Sequence, residues 1–82
     1  MDHESILKWC KDRVCMKHVK DDFSDNGTHF VQFENGDTYK YSSISCGEFT
    51  IMFVEINYKV VNITIKRHIG CGNYKLVSET TF

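Results

Sequence analysis

Cysteine and histidine are the side chains of this chain with the widest chemical range. Cys10, Cys15 and His18 lie toward one end, His68 and Cys71 toward the other, and Cys46 stands before Gly47. His68-Ile69-Gly70-Cys71-Gly72 has the two-residue spacing and trailing glycine that let a turn aim two ligands at one zinc ion. The N-terminal pair fits zinc less well. On a helix Cys10 and Cys15 would project about 140° apart, and on a strand Cys15 and His18 would point to opposite faces. Buried or idle thiols are therefore the first reading, with Cys10, Cys15, His68 and Cys71 as the ligand set of a zinc-stabilised alternative.

Other chemistry is fragmentary. Cys46 has the setting of a loop nucleophile with His68 or His29 as its base, but no GxSxG, HExxH, P-loop or dinucleotide fingerprint accompanies it. Asp22-Phe23-Ser24-Asp25-Asn26-Gly27 opens like a calcium loop, yet Phe33 occupies the twelfth place, where a bidentate glutamate belongs. The pattern excludes that loop type. No enzyme and no cofactor are expected.

Aromatic residues carry a different signal. Phe30-Val31-Gln32-Phe33-Glu34-Asn35-Gly36-Asp37-Thr38-Tyr39 reads as two β-prone runs around an Asn-Gly turn. A two-residue loop would place Glu34 opposite Asp37, Gln32 opposite Tyr39 and Phe30 opposite Tyr41 on one pleat face, with Phe33–Thr38 and Val31–Lys40 on the other. The candidate partner-binding set is therefore Phe30, Gln32, Tyr39 and Tyr41, with Glu34 and Asp37 at the rim. The stretch from Phe30 to Tyr39 resembles the strand-turn-strand of polo-box and Tudor-like domains, and no functional residue carries over from either.

These residues must be held by one small domain. The 82 residues are 41% hydrophobic and 26% charged, a globular composition with room for a single core. The formal charge of −1 lacks the basic surplus of a non-specific nucleic-acid binder. Lys8, Lys11, Lys17, Lys66 and Arg67 are the basic-face alternative. No apolar run approaches the roughly 18 residues of a spanning helix, and Met1-Asp2-His3-Glu4 carries no signal pattern, so a cytoplasmic protein with reduced thiols and no membrane partner is expected. The chain has no alanine or proline and only Arg13 and Arg67 as arginines, a bias of AT-rich genomes such as those of many phages, large DNA viruses or low-GC bacteria.

Periodicity gives the elements. Asp2 caps a helix over about 3–14 whose apolar face is Ile6, Leu7, Cys10 and Val14. Strands are expected over about 15–23, 28–34, 37–42, 49–56, 58–67 and 73–80, with Asn26-Gly27 and Asn35-Gly36 as hairpin turns. Phe49 to Ile56 is apolar on both faces and reads as a central strand covered on both sides. The expected fold is α+β, a single domain with an N-terminal helix packed on a curled antiparallel sheet of five to six strands, a meander or small open barrel. Its expected function is non-enzymatic protein binding, as a phage- or virus-encoded inhibitor or modulator of a host protein. Zinc-stabilised or basic-faced nucleic-acid binding is the alternative, and self-association as a homodimer through a sheet edge, which needs no other partner, is a third reading.

Overall fold

The computed structural model describes residues 2–17, 19 and 23–82. The helix α1 spans His3–Arg13. Asp2 stands at its N-cap, where a carboxylate oxygen accepts from the Ser5 N–H at 2.8 Å, a bond that holds the Asp2 carboxyl below its usual range. Glu4 in the first turn and Lys11 and Arg13 in the last complement the helix dipole. The helix ends where Val14 turns extended, its N–H donating to the Cys10 carbonyl at 3.0 Å.

Five strands follow: β1 (Phe23–Gln32), β2 (Thr38–Cys46), β3 (Phe49–Ile56), β4 (Lys59–Gly70) and β5 (Asn73–Thr81). Each pairs antiparallel with the next, in the order β1-β2-β3-β4-β5, so the sheet is an open meander whose edges, β1 and β5, pair with no further strand among the described residues. This is the expected α+β architecture with a curled, unclosed sheet. The segment expected as a strand over 15–23 is different. Cys15, Met16, Lys17 and Val19 are irregular, and His18, Lys20, Asp21 and Asp22 lie outside the described residues. Met16 is buried in the core, and none of the described residues 15–17 and 19 belongs to a strand.

The turns explain the remaining differences. Asn26-Gly27 is not a hairpin turn but part of β1, where the register shifts between Asp25 and Gly27 and the Asp25 carboxylate accepts from the Gly27 N–H at 3.1 Å. Asn35-Gly36 does turn the chain, through a three-residue loop. The Phe33 N–H donates to the Asp37 carbonyl and the Gly36 N–H to the Phe33 carbonyl, each at 2.9 Å, with Gly36 left-handed at φ 91°. Asn35 stays right of that region because its carboxamide serves the turn directly, accepting from the Asp37 N–H at 3.0 Å. Relative to a two-residue loop the register slips by one, pairing Phe30 with Lys40 and Val31 with Tyr39. A one-residue slip moves side chains to the other face.

β2 also runs further than expected, through Ser42-Ser43-Ile44-Ser45-Cys46, because Ser42, Ile44 and Cys46 alternate inward and are fully buried. Between β3 and β4 the turn residues Asn57 and Tyr58 are both left-handed, at φ 51° and 65°, as a two-residue primed turn demands.

The core lies between α1 and one face of the sheet. Ile6, Leu7 and Cys10 pack with Ile44, Ile51, Phe53, Ile63 and Ile65, while Met16 closes the end beyond the helix. His3 meets the edge of the Phe53 ring at 5.6 Å and the Asp25 carboxylate at 3.6 Å, and Trp9 meets Phe82 at 5.3 Å. α1 thus crosses the sheet from β1 toward the end of β5. β3 is central, as its composition indicated, but among the described residues no element covers its second face.

Asn57 ties the two hairpins together. Its carboxamide oxygen accepts from the Thr38 N–H at 2.8 Å, its amide nitrogen donates to the Asp37 carboxylate at 3.3 Å, and its own N–H donates to the Thr38 carbonyl at 3.0 Å. Asn57→Gly keeps the left-handed backbone but strands the buried Thr38 N–H, so the unfolding free energy should fall by about 1–2 kcal/mol. Urea denaturation measures this, and an unchanged midpoint would show that the side chain contributes nothing.

Candidate functional site

Alternation along each strand sorts the sheet into two faces. Thr28, Phe30, Lys40, Ser42, Phe53 and Glu55 share the face on which α1 lies; Val31, Tyr39, Tyr41, Met52, Val54 and Ile56 share the other. The second face has no covering element among the described residues, and across β1–β3 it forms apolar and aromatic rows. Val31, Tyr39 and Ile56 are neighbours in one row, and Tyr41 and Val54 in the next. The Tyr41 hydroxyl donates to the Met52 sulfur at 2.9 Å, so that ring lies along the face.

The rows lead to the end of the sheet formed by the β1–β2 and β3–β4 turns. Phe30, Val31, Phe33, Ile56 and Tyr58 all lie there with large apolar surfaces in solvent. Tyr58 is the most exposed, at 69%, and also adopts the left-handed conformation at φ 65°. An L-residue with a ring in that region carries roughly 1–2 kcal/mol of strain, and glycine or asparagine is the usual occupant.

The residues singled out from sequence are divided by this geometry. Tyr39 and Tyr41 lie together on the uncovered face, whereas Phe30 and Gln32 lie on the helix side, a consequence of the one-residue register slip. Asp37 is a structural group of the turn, its carboxylate accepting from Asn35 at 2.9 Å and from Asn57 at 3.3 Å, while Glu34 stands exposed beside it. Val31, Ile56 and Tyr58 were not among the expected residues. The register error hid Val31, and the legible sign of Tyr58 is Asn57-Tyr58 in a turn where Asn-Gly would be least strained.

The metal and nucleophile candidates are not brought together. Cys10 is in the core, where burial, reinforced by the nearby Cys46, pushes its thiol up to about 12 against an opposing effect of Arg13. Cys15 is exposed beyond α1, and Cys71 is exposed in the β4–β5 turn. His68 belongs to β4, its ring against Tyr74 at 5.3 Å. Among the described residues no three His, Cys, Asp or Glu side chains group as metal ligands. Cys46 is wholly buried on the helix side, while His29 pairs with Tyr41 on the uncovered face, so the thiol faces away from that base.

The basic residues also disperse. Lys66 continues the uncovered face, Arg67 lies on the helix side with Nε 3.1 Å from the Glu48 carboxylate, and Lys8 and Lys11 belong to α1. An open cleft of about 360 Å³ at the end of α1 is lined by Lys11, Asp12, Arg13, Val14, Cys15 and Lys17. No helix of the described residues is long and apolar enough to cross a membrane. No family model, curated protein or solved structure matches the chain.

Burial divides the four thiols. Cys15 and Cys71 should react with an aromatic disulfide reagent in the native protein, and Cys10 and Cys46 only on unfolding; four fast thiols in native protein would refute the packing of the core. The folded Cys10 thiol keeps its proton to about 12, against an ordinary 9.0, so its contribution to stability is complete below pH 9 and is lost as pH rises toward 12. Cys10→Ala should flatten that part of the alkaline stability profile.

Proposed function

We propose that this chain is a non-enzymatic protein-binding domain whose contact surface is the uncovered sheet face and its adjoining turn end. Tyr39 and Tyr41 form the platform, Val31 and Ile56 its apolar flank, and Tyr58 the projecting anchor. Tyrosine suits such a surface because its ring has large contact area, few rotors and a polar tip that tolerates water. Contiguous exposed apolar surface of this kind is uncommon on soluble monomers unless it meets another molecule. The observation that carries the reading is Tyr58, exposed and left-handed at the end where the apolar rows converge.

The chemistry of the face defines its partner. Rows Val31–Tyr39–Ile56 and His29–Tyr41–Val54 contain no Asp, Glu, Lys or Arg, so the complementary surface is an apolar protein patch with hydroxyl or amide groups at its margin. Nucleic acid is disfavoured by the same scarcity of cations and by the dispersal of the lysines. The AT-biased composition supports a phage- or virus-encoded modulator acting on a host protein in the host cytoplasm.

A trade between stability and binding tests this function. Tyr58→Gly removes the left-handed strain and should raise the unfolding free energy by about 0.5–1 kcal/mol, after the greater chain entropy of glycine is included. The same variant, and Tyr39→Ser, should lose a partner that the wild-type chain retains in affinity capture from host extract. Undiminished capture by both folded variants would refute the assignment of this face.

A further inference from the structure

The two edges of the sheet differ. Along β5 the register shifts opposite Ile65/Lys66 and again opposite His68/Gly70, and Lys75 and Glu79 add charges. Irregularity and charge are how proteins keep an edge from pairing with another chain. β1 carries one such irregularity, between Asp25 and Gly27. Beyond it, Thr28-His29-Phe30-Val31-Gln32 is regular and wholly exposed, with no proline and no Asp, Glu, Lys or Arg.

The ladder determines which backbone groups of this stretch are open. Phe33 closes the hairpin by donating to the Asp37 carbonyl, and the Thr38 N–H and C=O are engaged by Asn57 rather than by Gln32. Bonding alternates in an antiparallel pair, so His29 and Val31 bond inward toward Tyr41 and Tyr39, while Thr28, Phe30 and Gln32 turn N–H and C=O outward. Those outward groups are symmetric about Phe30. A second β1 laid antiparallel with its Phe30 opposite this one sets Thr28 against Gln32 and His29 against Val31. Glu34 then falls beside Asn26 of the second copy, so no like charges oppose.

We infer that the β1 edge pairs with the β1 edge of a second copy, joining two five-stranded sheets into one two-fold symmetric sheet. This goes beyond the proposed function, because its occupant is the chain itself and its contacts are backbone groups of the edge rather than rings of the uncovered face. The short paired stretch gives a small interface, so the dimer should be a reversible one that dissociates on dilution.

Phe30→Pro tests the pairing without entering the intramolecular ladder, because the nitrogen it alters faces outward, where an edge strand tolerates proline. Phe30→Lys keeps the N–H and sets two cations side by side at the two-fold axis. Sedimentation of the wild-type chain over about 1–500 µM, a span suited to a weak interface, should show its mass doubling. Amide exchange at Thr28, Phe30 and Gln32 should slow with concentration while His29 and Val31 stay protected throughout. Both variants should remain monomeric with a wild-type circular dichroism spectrum, and if Phe30→Pro does not fold, Phe30→Lys decides. A wild-type chain that stays monomeric, or a folded Phe30→Pro chain that still dimerises, would overturn the inference. Dimerisation abolished by Tyr58→Gly but retained by Phe30→Pro would also overturn it, assigning self-association to the uncovered face instead; loss of extract capture alone, with the dimer intact, would count against the proposed function only.

Discussion

One helix is too short for the sheet it covers. α1 has 11 residues and rises about 16 Å, whereas β4, with 12 residues, extends about 40 Å. The core can therefore form under only part of one face. Ile6, Leu7 and Cys10 meet Ile44, Ile51, Phe53, Ile63 and Ile65 there, and Met16 fills the position at which the chain leaves the helix. The rest of the sheet is held by its ladders and by side-chain bonds at its turns. Asn57 is the clearest instance, since it supplies what packing supplies elsewhere: a fixed relation between two neighbouring hairpins.

Where local signals and packing agree, the sequence was legible. The Asp2 cap and the spacing of Ile6, Leu7 and Cys10 define α1, and the alternation of Ile63 and Ile65 with Asn62, Thr64 and Lys66 defines the half-buried body of β4. Misreadings arose where a side chain replaced a backbone solution. Asn-Gly is a strong turn signal because both residues accept positive φ, yet Asn35 remains outside that region and uses its carboxamide on Asp37, which lengthens the loop and shifts the register. At Asn26-Gly27 the Asp25 carboxylate satisfies the Gly27 N–H, so the chain kinks and continues as β1 instead of reversing. Residues 43–46 fell between two expected strands, but Ile44 and Cys46 continue the buried alternation of β2.

The candidate site was only half visible for the same reason. Tyr39 and Tyr41 were identified by residue type, which no register error can change, and they do share a face. Assigning Phe30 and Gln32 to that face depended on the turn length, and one residue of difference moved them to the helix side. The zinc alternative likewise rested on spacing without knowledge of burial. Once Cys10 is placed on the buried face of α1, its high thiol pKa follows from desolvation, and a ligand that must be a thiolate is lost from the set.

The departures from local preference are not scattered over the molecule. Around α1 the cap, the helix periodicity and the inward isoleucines all favour the same structure, as expected of a segment selected for stability. The opposite end combines a tyrosine in a left-handed turn, a phenylalanine at 52% exposure on β1 and, over residues 28–32, an edge stretch without a charged residue. Each feature costs stability or solubility, and a simple substitution would remove each: glycine at residue 58, lysine at residue 30. Packing cannot account for them, because no described element reaches that end of the sheet. Their common location instead divides the chain into a half that folds against α1 and a half that leaves rings and open backbone groups in solvent.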